Sequence, residues 1–255
     1  MKSQDDPPVV ETAGAPPGAG DQGAVQAPSP RLWARLIITY LLIPLLLFVC
    51  AGDLGWWQGW AFSLLIFTAG IAGRWLAERR HPGLLVERER TTFGRGADAE
   101  PWDRVLSPLM GVSLSFPLVI VAGLDHRLGW SPVIPAWLTV GGLVLVAIGY
   151  ALAVWALVEN RFFSGMVRIQ TDRGHAVVDS GPYRFVRHPG YAGNLLPLPG
   201  IVLGLGSLWT LLPALFAVGL TITRTALEDQ ALQEKLPGYR EYAQRVRYLL
   251  LPGVF

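Results

Sequence analysis

Cysteine is almost absent: Cys50 is the single one in 255 residues, so there is no disulfide framework and no cysteine-based metal site. It lies within an apolar run, where a small buried hydrophobe is expected. The four histidines include no pair at metal-ligand spacing, so no metal is expected either. Charge is also scarce, at 16% Asp, Glu, Lys and Arg, against about 25% in an ordinary soluble domain. That deficit points to a chain whose solvent is lipid. No GxGxxG follows a strand-like segment, which removes the dinucleotide-binding fingerprint. Residues 1–30 contain no aromatic residue and are rich in Pro, Gly and Ala, so they are expected to form a disordered tail. They lack the basic and apolar regions of a secretory signal.

Long apolar runs, by contrast, dominate the rest. A helix needs about 20 apolar residues to cross the hydrocarbon core, and four stretches qualify, at roughly 32–51, 56–76, 105–124 and 134–158. A fifth apolar region, 192–223, is too long for one span and too short for two full ones, and it contains "GLGS" at 204–207 and Pro213. These are turning points, so the region reads as a tight helical hairpin whose second arm continues as a polar helix. The expected fold is therefore all-α and polytopic, with about six transmembrane helices. A four-helix region spans 31–158, and 159–255 forms a C-terminal core.

Cations alternate across this pattern. The 77–104 connection carries Arg79, Arg80, Arg88, Arg90, Arg95 and Arg104, the 159–190 connection carries Arg161, Arg168, Arg173, Arg184 and Arg187, and the tail after 223 is basic as well. The links at 52–55, 125–133 and 204–207 hold one cation in total, Arg127. By the positive-inside rule both termini and both large loops face the cytoplasm. Trp56, Trp57, Trp60, Trp130 and Trp209 fall near the span ends on the opposite side, where interfacial aromatics anchor.

The second large loop runs into "SGPYRFVRHPGYAG" at 180–193, where restrictive prolines and permissive glycines flank tyrosines and an imidazole. A loop that only anchors at headgroups needs no such specified shape. The last helix then brings Arg224 and Glu228 one turn apart as the span leaves the bilayer. Ionisable groups at membrane depth point to function, while the plainer reading is an ion pair on the helix surface. "RHPG" also occurs at 80–83, but without flanking similarity that would indicate a duplication.

The run "HAVVDSGPYRFVRHPGYAG", followed by "RTALED" and the ending "LPGYREYAQRVRYLLLPGVF", resembles the C-terminal core of the isoprenylcysteine carboxyl methyltransferase and related phospholipid methyltransferase families. "HPGLLVERER" and "EPWDR" upstream resemble segments of a bacterial subgroup. The resemblance implies an integral membrane, S-adenosylmethionine-dependent methyltransferase without a Rossmann domain, set in a bacterial-type inner membrane. It implies a cofactor site formed by His175, Ala176, Val177, Val178, Tyr183, His188, Pro189, Gly190 and Tyr191, with Glu228 on the last helix. It implies Gln170 as a further contact and Arg224 as the residue that orients the acceptor, with Asp229 where many members have a second glutamate.

S-adenosylmethionine offers cations for carboxylates and aromatic faces, a carboxylate for N–H donors and an adenine for stacking, so these residue types suit it. The expected partners are membrane lipid and a lipidic or small-molecule methyl acceptor bearing a carboxylate, thiol or amine, with no nucleic acid and no metal. Two other readings stay open. One is a membrane NADPH-dependent reductase of the sterol or enone type, with Arg184 and Arg187 available for a 2′-phosphate. The other is a non-enzymatic transport or scaffold protein. Against that last reading, the chain has no inverted repeat and no charge at the middle of its first four spans.

Overall fold

The computed structural model describes residues 27–93 and 98–254, so the tail expected at 1–30 lies almost wholly outside the described residues. Ten α-helices and three short 3₁₀ turns, with no strand among the described residues, make up the regular structure. They are α1 (Pro30–Ala51), α2 (Trp57–Arg80), α3 (Leu84–Phe93), α4 (Asp103–Ser113), α5 (Phe116–Leu128), α6 (Ala136–Glu159), α7 (Pro189–Leu195), α8 (Pro197–Gly204), α9 (Leu211–Lys235) and α10 (Tyr239–Arg245).

Among the described residues, five stretches are long and apolar enough to cross a membrane: α1, α2, α4 with α5, α6, and the last turn-and-helix run Leu208–Lys235. The chain is thus an all-helical, polytopic membrane protein. The third span is broken between Ser113 and Phe116, because Pro117 has no N–H to donate and its ring collides with the carbonyl four residues back. The first arm of the expected hairpin is likewise interrupted, at Leu196, by Pro197. It is a stack of two short helices rather than a sixth full-length span.

Close helix approach holds this arm in place. α8 lies against α6 where Gly142 and Gly200 face each other, and a Cβ on Gly142 would come within 2.8 Å of the Gly200 carbonyl. At Gly193 on α7 an added Cβ would sit 2.4 Å from the backbone nitrogen of Ala153. Backbone cannot move aside as a side chain can. Gly193→Ala is therefore expected to cost about 1–3 kcal/mol through overpacking, read as a lowered unfolding midpoint in detergent. Leu143 and Val146 of α6 join Leu198, Ile201, Ala214 and Ala217 in one apolar core, so packing runs continuously across residue 158.

One end of the bundle is tied by the three short links. Buried Asp125 accepts hydrogen bonds from Ser131 N (2.8 Å), Ser131 Oγ (2.6 Å) and Ser207 Oγ (2.5 Å). His126 Nε2 lies 2.9 Å from Asp53. Trp57, Trp60, Trp130 and Trp209 are about half exposed here, whereas Trp56 is buried at 3% and stacks on His126. Trp56 is thus a core residue rather than an interfacial anchor. Cys50 is half-buried, with its Cβ against Gly123. The basic loops gather at the opposite end and enclose a cavity.

Candidate active site

The cavity has a volume of about 530 Å³ and is walled by α4, the 160–168 segment, the loop at 175–183, α7, α9 and the residues around α10. Its shape is set by several tethers. Glu100 N donates to Val167 O at 2.9 Å, which joins the segment before α4 to the 160–170 loop. Arg187 N and His188 N donate to Tyr248 O and Leu249 O, each at 2.9 Å, so the C-terminal tail clamps "RHPG" from outside. Tyr242 Oη donates to Tyr183 O at 2.7 Å. Gly181 adopts φ +55° with the Glu159 side chain 2.9 Å from where a Cβ would be, so the turn into Tyr183 accepts only glycine without strain.

Of the residues singled out in the sequence, His175, Ala176, Val177, Val178, Tyr183, His188, Gly190, Tyr191, Arg224 and Glu228 line this one cavity. Two lie off its wall. Pro189 is buried at the first position of α7, where its missing N–H costs nothing. Gln170 is 1% exposed and spends its side chain internally: Nε2 donates to Phe162 O at 2.7 Å and Oε1 accepts from Arg173 at 2.6 Å. It shapes the loop that carries His175.

Arg224 and Glu228 are not paired with each other. Arg224 makes a two-pronged bond to Asp103, Nε to Oδ1 at 2.6 Å and Nη2 to Oδ2 at 2.8 Å, and Nη2 also donates to Gly165 O at 3.0 Å. Asp103 is fully buried and also accepts from Val167 N at 2.6 Å. Glu228 accepts the Tyr191 hydroxyl on Oε2 and has no partner on Oε1 among the described residues. The Tyr191 ring lies between the Arg224 guanidinium (5.4 Å from its centroid) and the His188 ring (5.8 Å, interplanar 23°).

Asp229 faces away from the cavity and braces its back. Its Oδ1 lies 3.2 Å from His188 Nε2 and accepts from Tyr239 Oη at 2.9 Å, while Oδ2 accepts from Gln233 at 2.6 Å. Arg187 Nε is 3.3 Å from the same carboxylate, close enough for an ion pair but not aligned for a hydrogen bond. With its Nε2 turned to an acid, His188 is held in one ring orientation.

The backbone N–H of Gln170 points at His175 Nδ1 at 3.3 Å. An N–H can only donate, so Nδ1 carries the lone pair and the ring's proton sits on Nε2. Burial, followed by the cations Arg168, Arg173 and Arg161, lowers the His175 pKa from 6.5 to about 4. The folded state thus keeps this ring neutral while the unfolded chain protonates it near 6.5. The unfolded state binds more protons between those values, so stability falls as pH drops from 6.5 towards 4. His175→Gln is expected to flatten that part of the stability profile, measured by thermal unfolding across pH 4–7.5.

Ala176, Val177 and Val178 form no helix or strand, and their N–H groups have no partner among the described residues. Tyr183 donates to Ala156 O at 3.3 Å and accepts from Asn160 at 3.2 Å, so its hydroxyl is anchored to the end of α6. Burial pushes its pKa up and keeps the phenol protonated.

Sequence reasoning missed Asp103, Arg88, Asn160, Phe162 and Asn194, of which all but Asp103 line the cavity. For two of these a signal existed: Asp103 lies in "EPWDR" and Arg88 in "HPGLLVERER", both already singled out as segments.

Residues 142–234 match the isoprenylcysteine carboxyl methyltransferase family. A probable protein-S-isoprenylcysteine O-methyltransferase of Oryza sativa subsp. indica is 41% identical over 56 residues, which cover 22% of this chain and 29% of that protein. Protein-S-isoprenylcysteine O-methyltransferase A of Arabidopsis thaliana is 31% identical over 61 residues, 24% of this chain and 31% of its own length. The Delta(14)-sterol reductase TM7SF2 of Mus musculus is 34% identical over 95 residues, 36% of this chain and 23% of the reductase. The chain thus spans less than a third of each of these relatives. The family match runs from α6 through nearly all of α9, and so includes the 175–191 loop, Arg224 and Glu228 but not Asp103 or the first five helices.

Proposed function

We propose that this chain, which resembles the isoprenylcysteine carboxyl methyltransferases from α6 to α9, is an integral membrane methyltransferase that uses S-adenosylmethionine and acts on a small or lipidic acceptor at the membrane interface. The observation that carries this reading is the composition of one wall. A carboxylate oxygen of Glu228 and the N–H groups of 176–178, all without a partner among the described residues, share a cavity of about 530 Å³ with the rings of Phe162, Tyr183 and Tyr239 at the end of the membrane spans. That volume lies within the range of about 300–1,000 Å³ typical of small-molecule sites.

The donor set fits the cofactor on those grounds. Glu228 would hold its cationic part, the 176–178 N–H groups and His175 Nε2–H would hold its carboxylate, and the aromatic rings would take the adenine. When bound, S-adenosylmethionine supplies an electrophilic methyl group on a sulfonium. The protein's own task is alignment and exclusion of water. Arg224 serves alignment: Asp103 and Gly165 fix Nε and Nη2, leaving Nη1 without a partner among the described residues and available to meet an acceptor. An acceptor that must lose a proton has His188 at hand, because a ring whose Nε2–H is given to Asp229 keeps a lone pair on Nδ1. In this reading the cavity end, with its basic loops and both termini, faces the cytoplasm of a bacterial-type inner membrane, as the alternation of cations supports.

The similarity to a sterol reductase favours a second reading, an NADPH-dependent reductase. Of the two cations that the sequence offers for its 2′-phosphate, Arg184 is exposed and off the cavity wall, and Arg187 already faces Asp229. Equilibrium binding of S-adenosylmethionine to the purified protein, with NADPH run in parallel as competitor, separates the two. Saturable binding that NADPH does not displace is expected; binding of NADPH alone would replace the methyltransferase with the reductase.

A further inference from the structure

A second cavity of about 160 Å³ lies inside the helix bundle among α1, α2, α6 and α7, and it shares Arg88, Phe163, Gly190 and Asn194 with the larger one. Its polar wall consists of Arg74, Arg88, Tyr40, Tyr150 and Asn194, with no carboxylate; the rest is apolar.

Arg74 sits in the last turns of the α2 span, where a lone arginine normally snorkels out to the interface. Here it turns inward instead. Its Nη1 bonds the Tyr40 hydroxyl and donates to Gly70 O at 3.1 Å, and its guanidinium lies 4.9 Å from the Tyr40 ring centroid. Arg88 reaches in from α3 and donates to Phe163 O (3.0 Å) and Ser164 O (3.2 Å). Among the described residues neither guanidinium has an acidic partner. Three other arginines around the active-site cavity have one: Arg224 has Asp103, Arg168 has Glu87 and Asp172, and Arg187 has Asp229.

Two uncompensated cations beside one membrane-embedded cavity are costly without an anion. Burial, followed by the Arg74 cation, brings the Arg88 pKa down to about 10. The side-chain amide of Asn194, which lines both cavities, makes no hydrogen bond among the described residues and so has donors to offer.

We propose that Arg74, Arg88 and Asn194 form an oxyanion-binding subsite within the bundle that holds the negatively charged head of an amphiphilic acceptor. The proposal rests on the methyltransferase reading of the adjoining cavity, and it narrows the acceptor to an anionic amphiphile. An ammonium head would meet two cations, and an uncharged head would leave them uncompensated. The shared chemistry is an oxyanion, which a carboxylate or a phosphate supplies.

The test uses the full chain in phosphatidylcholine nanodiscs. Equilibrium binding of tetradecanoate and tetradecyl phosphate is compared with that of tetradecanol and tetradecylamine, and S-adenosylmethionine binding is measured on the same samples. At least one anion is expected to bind ten times or more tightly than the alcohol and the amine. Preference for tetradecanoate would mark a carboxylate acceptor, and preference for tetradecyl phosphate a phospholipid head. Arg74→Gln and Arg88→Gln should each weaken the anion about tenfold or more, with S-adenosylmethionine affinity unchanged in Arg74→Gln, and the Arg→Lys forms should retain much of the anion binding. Equal binding of alcohol and anion by the wild type, or anion affinity unmoved by the substitutions, would overturn the subsite. If Arg88→Gln does not fold, the head-group preference of the wild type and Arg74→Gln decide. Anion selectivity without any S-adenosylmethionine binding would leave the subsite standing and remove the methyltransferase reading instead.

Discussion

Asp103→Ala is expected to lower stability by about 3–5 kcal/mol and to abolish methyl transfer. The carboxylate is fully buried and takes three short hydrogen bonds, from Arg224 Nε at 2.6 Å, Arg224 Nη2 at 2.8 Å and Val167 N at 2.6 Å. Without it, a buried guanidinium loses its counter-charge and a buried N–H loses its acceptor at once. A double replacement separates fold from function. Asp103→Leu with Arg224→Met removes both charges, and such apolar substitution of a buried pair is often neutral, so most of the stability should return. Turnover should not, because the Arg224 guanidinium that orients the acceptor is gone. Thermal unfolding in detergent and a labelled-methyl transfer assay read the two effects. Equal stability of the single and double variants would show that the pair is not coupled.

Glu228→Gln should leave the protein folded and weaken S-adenosylmethionine binding roughly tenfold to a hundredfold. A hydrogen bond to a charged group contributes about 1.5–3 kcal/mol, and each 1.4 kcal/mol is a factor of ten in affinity. Gln is the cleaner probe here, since it keeps a carbonyl oxygen for the Tyr191 hydroxyl that Glu228 now accepts. Glu228→Ala would free that hydroxyl as well and mix two losses. Tyr191→Phe removes only the bond to Glu228, so its effect should be smaller, about tenfold at most. Equilibrium binding checks all three; unchanged affinity in Glu228→Gln would remove this residue from the cofactor site.

The spans were legible because lipid imposes one demand, about 20 apolar residues in a row, and that demand is written locally. α1, α2 and α6 begin and end within a few residues of the expected 32–51, 56–76 and 134–158. The third span is longer than expected and split, since hydropathy registers its apolar content but not the backbone break that Pro117 causes. The shaped loop was legible for a similar reason: Pro182 and Pro189 restrict their own backbone, and Gly181 admits a positive φ, wherever they stand.

Pairing was not legible. Arg224 and Glu228 are one turn apart, which made a helix-surface ion pair a fair reading, yet the guanidinium goes to Asp103, 121 residues away. Trp56 and Trp57 are neighbours of the same type, but the helix turns one onto His126 and leaves the other half exposed. Gln170 is a polar residue in a functional loop, and only its bonds to Phe162 and Arg173 show that it faces away from the cavity.

The sequence by itself therefore determined the membrane setting, the helices, the alternation of basic links and the face of α9 that carries Arg224 and Glu228, because each depends on composition or on spacing within one segment. The tertiary structure alone decided which charges neutralise each other and which do not. It gave Asp103 to Arg224 and Asp229 to His188, and it left Arg74 and Arg88 together without an acid among the described residues. Those outcomes depend on where distant helices cross, and in a low-dielectric interior a few ångströms separate a compensated charge from one that needs a ligand.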